Sequence, residues 1–368
     1  MDMRYVKAAC LAAILFLLPS ARAQKALSTR DFFYIGGKYT GDLREGQMYV
    51  EALHPAKVTK KYSIVFIHGA SQTATNWIGT PDGRPGWADY FLNQGYLIYL
   101  VDQPARGRSP WHPKLNGPLT VFTVNDMEKR FTASEVGGFW PQAKKHTEWP
   151  GDGPNKGRHG DPYFDAFYAT QVESLASAAE TQTLNQAAGS ALLDKIGPAI
   201  LLTHSQSGPI GWVIADKHPQ GIKGILSIEP SGPPFQNAVM NEDKNRVWGI
   251  ADIPLTYDPP ARTPADLKPV REAKADAPDL TACFRQSDPP RRLVKLQGIP
   301  ILIATTESSF HAVYDHCTAR YLTQAGVKNT FVRLEDVGLR GNGHMVMLEK
   351  NNLEVAAFLD KWITANIK

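Results

Sequence analysis

One short stretch, Thr203-His204-Ser205-Gln206-Ser207-Gly208, constrains this chain more than any other. It sits directly behind the apolar run Pro198-Ala199-Ile200-Leu201-Leu202, and Pro209-Ile210-Gly211-Trp212-Val213-Ile214 reads as a helix behind it. A buried strand, a small-X-Ser-X-small turn and a helix together make the layout of a nucleophile elbow. The turn is so tight that the positions two before and two after the serine must be small, and Thr203 and Ser207 meet that demand. Such a turn lifts Ser205 Oγ off the sheet edge and points the amide of Gln206 at the same reacting atom. Serine-rich loops match the bare pattern by chance, so its weight comes from the strand ahead and the helix behind.

The rest of the chain supplies the sheet that this turn needs. Phe32-Phe33-Tyr34-Ile35 and Met48 to Leu53 read as two strands with glycines between them, and Tyr62 to Ile67 as a buried central strand. Further strands are expected at Tyr96–Val101, Ala199–Thr203, Gly224–Ile228, Ile301–Thr305 and Thr330–Leu334. Helices are expected at Gly86–Gln94, Val172–Ile196, Pro209–Lys217, Val313–Ala325 and Asn351–Ile367. Strands and helices alternate and the strand centres are apolar, which predicts an α/β fold: a mostly parallel sheet flanked by helices on both faces, begun by an antiparallel pair. Two segments break the rhythm, at about 109–162 and 231–297. They are long and rich in proline, and they read as insertions over the C-terminal edge of the sheet. The aromatics of the first, among them Phe122, Phe131, Trp140 and Trp149, fit either an apolar substrate surface or a small core of its own.

Residues 1–23 read as a secretory signal peptide, with Arg4 and Lys7 ahead of an apolar run and Ala21-Arg22-Ala23 at the cleavage point. The run is too short to span a bilayer, and no other candidate span occurs. Residues 24–368 would then be one domain, secreted or periplasmic. Loss of Arg4, Lys7 and Arg22 together with Asp2 lowers the net charge from +4 to +2, too little for a nucleic-acid partner. Cys10 leaves as well, so Cys283 and Cys317 remain. In an exported chain an isolated pair points to one disulfide, worth about 3–4 kcal/mol by chain entropy; two unrelated buried thiols are the alternative.

A serine hydroxyl needs a base within hydrogen-bond reach and a third group to orient that base. His344, in Gly341-Asn342-Gly343-His344 after the last strand, is the best-placed base; a loop histidine that only caps the final helix is the bland alternative. His204 reads as a packing residue, His68 as part of the loop after the third strand, and His311 and His316 as structural or pocket-lining. Two acids compete. Glu307 has the more usual place in the strand order. Glu229 ends a buried strand, where a carboxylate is costly without a partner, and Pro230 behind it fixes its direction. The reading favours Glu229, keeps Glu307 as the alternative acid, and leaves open that Glu229 is only half of a buried ion pair. A tetrahedral intermediate also needs amide donors. Gln206 N–H is one by construction, and Ala70 in His68-Gly69-Ala70-Ser71 is the choice for the other. No metal-ligand spacing and no glycine-rich dinucleotide fingerprint is present, so neither a metal nor a cofactor is expected.

With these residues in place the chain resembles an α/β-hydrolase, and more narrowly the esterase 713 group of secreted bacterial esterases. The likeness rests on Thr80-Pro81-Asp82-Gly83-Arg84, Arg106-Gly107-Arg108-Ser109, Phe139-Trp140-Pro141-Gln142-Ala143 and Thr203–Gly208. It rests also on Ile228-Glu229-Pro230-Ser231-Gly232, Asp252–Tyr257 and Gly341–His344, and it covers nearly the whole mature chain. It implies a triad at Ser205, Glu229 and His344, ester hydrolysis outside the cytoplasm without a cofactor, and a homodimer as an option. One departure stands out: where the best-known member has two adjacent disulfide-bonded cysteines, this chain has Ala70 and Ser71, so packing or hydrogen bonds must hold that loop. The same machinery can cleave amides, lactones or C–C bonds, and a non-catalytic binding protein is a further alternative.

Overall fold

The computed structural model describes residues 28–368; the expected signal peptide lies outside the described residues. Eight strands form one sheet: β1 (Thr29–Thr40), β2 (Leu43–His54), β3 (Ser63–Ile67), β4 (Ile98–Asp102), β5 (Ala199–His204), β6 (Ile222–Ile228), β7 (Ile301–Thr305) and β8 (Thr330–Arg333). Their spatial order is β1-β2-β4-β3-β5-β6-β7-β8. β1 and β2 pair antiparallel, as do β2 and β4, and every pairing from β4 to β8 is parallel. The first two strands run well past the apolar cores read from the sequence, because they continue as one long hairpin that turns at Gly41-Asp42.

The central strands are buried on both sides, and their alternation sorts the core into two layers. Val65, Ile67, Leu201 and Ile303 face α2 (Ala178–Ile196), α3 (Ser207–Lys217) and α4 (Asp315–Gln324). Ile64, Phe66, Leu202 and Leu302 face α1 (Trp87–Asn93) and α5 (Asn352–Asn366). The helix expected from Val172 starts only at Ala178. Ser177 Oγ caps it by accepting from Glu180 N, and Ser174-Leu175 instead pairs with Leu119-Thr120.

The segment between β4 and α2 is a string of short helices and turns. Trp149 packs edge-on to Phe167 at 5.5 Å, and Trp140 Nε1 donates to Ser308 O at 2.9 Å, so these two aromatics serve packing. The segment between β6 and β7 is tied to α4. Tyr257 Oη lies 2.9 Å from Tyr321 Oη, and Cys283 and Cys317 form a disulfide. Among the described residues no helix is long and apolar enough to cross a membrane.

Candidate active site

The turn after β5 places Ser205 in the left-handed region, at φ 55°. A non-glycine residue stays there only when its surroundings hold it. Here Ser205 N donates to Ile228 O at 3.1 Å and Ser205 O accepts from Ser231 N at 2.9 Å, so the elbow is laced to the end of β6. Ser207 Oγ accepts from His204 N at 2.8 Å and donates to Ile67 O at 2.6 Å, which gives a small hydroxyl residue at that position a second purpose beside its size. Gly69 lets the loop after β3 approach: a Cβ there would lie 3.1 Å from His204 Nδ1 and 3.2 Å from Ser205 Cβ.

Glu229, the first residue after β6, is also left-handed (φ 46°) and fully buried. Its Oε1 accepts from Thr306 N at 2.8 Å and Thr306 Oγ1 at 2.6 Å, and its Oε2 lies 2.6 Å from His344 Nδ1. A carboxylate so bound fixes the Nδ1–H tautomer and leaves Nε2 as the basic nitrogen. Burial pushes the Glu229 carboxyl up from its ordinary value, and Thr306 opposes that by hydrogen-bonding the charged form. Glu307 is elsewhere. Its carboxylate accepts from Gly341 N at 3.0 Å and pairs with Arg340 and Lys145, at 3.2 and 3.5 Å. Of the two acids, only Glu229 is brought to His344.

The His344 ring lies in an aromatic sandwich. Phe131 stacks on it at 5.0 Å and 24°, and His311 at 4.8 Å and 10°. His311 is itself held by Asp315 at 2.9 Å. His204 does more than pack: its Nε2 is 2.9 Å from His344 O, so it supports the loop that carries the base. Burial, with the charges of His311 and Arg130 after it, holds the His344 imidazole well below the ordinary histidine value of 6.5. A general base works when unprotonated, so lowering its pKa moves the acid limb of activity downward. The kcat/KM profile is therefore expected to stay flat through pH 6.5 and to fall only below it. A half-maximal point at or above pH 6.5 would contradict this.

A carboxylate-histidine-carboxylate chain, buried at His146 and Glu349, fixes the loop that carries His344. His146 Nδ1 lies 2.9 Å from Glu135 and Nε2 lies 2.7 Å from Glu349, whose carboxylate also accepts from Gly343 N and Asn342 Nδ2. A Cβ at Gly343 would come 2.8 Å from His146 Nε2, so only glycine fits. Burial alone would lower the His146 pKa, but the two carboxylates outweigh it and raise it from 6.5 to about 9. A raised folded-state pKa stabilises fully below 6.5 and is lost as pH rises through about 9. The loss should amount to about 3 kcal/mol. Denaturant unfolding at pH 6 and pH 10 is expected to show that drop for the native chain and a much smaller one for His146→Gln.

On the opposite side lie the two amides expected to receive an oxyanion, those of Ala70 and Gln206. Among the described residues neither donates to a protein acceptor. Their loops are held without a disulfide. Arg106, almost wholly buried, donates to Gly69 O, Gln72 O and Gln206 Oε1, each at 3.3 Å, and so bridges the loop after β3 to the elbow. Ser71 N donates to Ser174 Oγ at 2.9 Å and Ser71 O accepts from Val172 N at 3.0 Å. Asp102 accepts from Ala74 N and Arg108 N, both at 2.9 Å, which fixes the turn carrying both arginines. His68, pulled down to about 4 by burial, lies in hydrogen-bond range of Gln103 N and Gly69 O and is structural.

Ala70, Ser205, Gln206 and His344 line one cavity of about 220 Å³, with Phe122 and Phe131 from the first inserted segment on its wall. Among the described residues two triplets of ligand-type side chains come together: Cys283, His316 and Cys317, whose sulfurs form the disulfide, and His204, Glu229 and His344, already engaged as described. The sequence held no sign of the roles of Thr306 and His146, since each acts through contacts made only in the folded chain.

A strand order of this kind, with a serine elbow after the central strand and a histidine after the last, defines a class, and the chain belongs to the alpha/beta hydrolase family, whose model matches residues 64–358. It is 48% identical over 345 residues to a probable secreted lipase, phiG, of Fungal sp. (strain ATCC 74256), covering 94% of this chain and 92% of that one. Among solved structures it is similar to a novel bacterial esterase at 24% identity and a TM-score of 0.61, over 92% of this chain and 96% of the other. That likeness speaks for the fold.

Proposed function

We propose that this protein is a secreted serine hydrolase of carboxylic esters, acting through a Ser205–His344–Glu229 triad and an acyl-enzyme. The observation that carries the reading is the 2.6 Å contact between buried Glu229 and His344 Nδ1, with His344 lining the same cavity as Ser205 on its left-handed elbow. Ser205 Oγ attacks the ester carbonyl while His344 Nε2 takes its proton. The amides of Gln206 and Ala70 receive the negative charge of the tetrahedral intermediate. Collapse breaks the bond to the alkoxide, which leaves with the proton from His344. Water, deprotonated by the same imidazole, then attacks the acyl-enzyme, and collapse breaks the bond to Ser205 Oγ, which takes back the proton from His344 as the acid leaves. Glu229 stays a carboxylate and stabilises the imidazolium.

The name of the fungal relative supports an ester substrate and export, and the signal peptide read from the sequence agrees with the latter. The cavity, at about 220 Å³, is smaller than the usual range of roughly 300–1,000 Å³ for drug-sized ligands and favours a short ester over a long acyl chain. The segments at about 109–162 and 231–297 act in this reading as a cap over a single domain of residues 24–368. Two measurements test it on the mature protein: fluorophosphonate labelling, expected at Ser205, and a panel of short esters, lactones and amides, expected to show esters turned over fastest. Labelling elsewhere, or amides cleaved faster than esters, overturns it.

A further inference from the structure

The lining of the Ser205 cavity includes a cation that the mechanism does not use. Arg246 lines this cavity and is only 4% exposed, yet among the described residues no carboxylate lies within 4 Å of its guanidinium. The charge of Asp252, which lines the same cavity, acts on the guanidinium without pairing to it directly. Three of its contacts knit the inserted segment: Nε donates to Pro233 O at 2.7 Å, and Nη2 donates to Gln236 O at 2.9 Å and Asn237 Oδ1 at 2.8 Å. Nη1 donates to no protein acceptor, and it is not among the sealed, unsatisfied atoms, so it reaches open space.

The backbone is arranged to present this side chain. Arg246 adopts φ 45°, a left-handed conformation that a long side chain takes only under constraint. Asp252 supplies the constraint by accepting from Arg246 N at 2.7 Å, while its other oxygen accepts from Gln182 Nε2 at 2.7 Å. The aspartate is thus occupied by the main chain and an amide rather than by the guanidinium. Asn245, Gln182 and Gln72 add further polar groups to the lining, and the Asp252 carboxylate, held by Arg246 N and Gln182 Nε2, lines it as well. Arg130, paired with Asp126 at 3.7 Å, stands over the Phe122 ring at 5.4 Å, and its charge acts on His344.

We propose that the cavity is a site for short esters that carry a carboxylate, with Arg246 Nη1 receiving the anionic group while the ester carbonyl lies at Ser205. This rests on the ester-hydrolase reading and adds the substrate class to it. Charge-assisted hydrogen bonds to a guanidinium are the stronger kind and gain from exclusion of water, so discrimination of about ten- to a hundred-fold is expected.

The test uses the mature protein and two pairs of esters matched in shape. In one pair the charge is on the acyl side: mono-para-nitrophenyl glutarate against the para-nitrophenyl ester of a neutral, branched acid of the same length. In the other it is on the alcohol side: meta-carboxyphenyl butyrate against meta-isopropylphenyl butyrate. The expected result, after subtraction of spontaneous hydrolysis, is a kcat/KM about ten- to a hundred-fold higher for the charged member of at least one pair, with free glutarate competing against the neutral ester. In Arg246→Gln, checked for folding by circular dichroism, the charged-to-neutral ratio should collapse toward one. Equal or better turnover of the neutral member in both pairs overturns the proposal while leaving the ester-hydrolase reading intact, and so does an unchanged ratio in the folded variant. If Arg246→Gln does not fold, the native preference and the glutarate competition decide. Failure to turn over any ester, with Ser205 unlabelled, removes both readings together.

Discussion

Replacing Ser205 by alanine is expected to reduce kcat on a short nitrophenyl ester by about 10⁶-fold, to the level left by the binding cavity and the two amides alone. The reason lies in the unit character of the site. Without the hydroxyl there is no acyl-enzyme, and the basic nitrogen of His344 has nothing to activate in the first step. The fold should be untouched. Alanine is as small as the elbow demands, and the bonds that hold the turn use the main chain of Ser205, to Ile228 and Ser231, rather than its side chain. Steady-state kinetics and thermal unfolding on the same preparation separate the two effects. Turnover within about tenfold of the native chain would move the nucleophile elsewhere.

Glu229→Gln comes next in size, with a loss of about 10⁴-fold in kcat expected. The amide is nearly the same shape, so Thr306 can still bond one end, but an amide NH₂ facing His344 Nδ1 favours the opposite tautomer and turns the base off. Glu307→Gln is the matched control. Glu307 holds Gly341 and pairs with Arg340 and Lys145 at the rim, so its loss should stay within about tenfold. The opposite ranking of the two variants would assign the acid to the later strand.

Much of this was legible because it is local. The elbow announces itself through strand, small residues and helix within some fifteen positions, and each central strand through a short apolar run. The reading failed where a local preference competes with a longer-range partner. Val172–Ser177 has helix-compatible composition, yet Ser174 is taken by the amide of Ser71 and by pairing with the strand at Leu119-Thr120, and the cap at Ser177 sets the true start. The aromatics of the first insertion split for a similar reason. Trp149 and Trp140 find partners in the body, while Phe122 and Phe131 are left on the cavity.

The loop after β3 shows the same division. Its composition, with Ala70 and Ser71, reveals only that no disulfide can brace it. That Arg106 does so, thirty-odd residues away and on the turn after another strand, depends on β3 and β4 lying side by side.

By itself the sequence determined the fold class and the serine elbow and offered a candidate base and a short list of acids, because hydrophobic period, turn chemistry and the order of strands act over neighbouring residues. Only the tertiary structure brought Glu229 rather than Glu307 to His344, stacked His311 on that ring, and left Arg246 on the cavity with no direct ion pair among the described residues. These depend on which strand ends meet at the sheet edge and which polar groups find partners once water is excluded, and no stretch of chain carries that information alone.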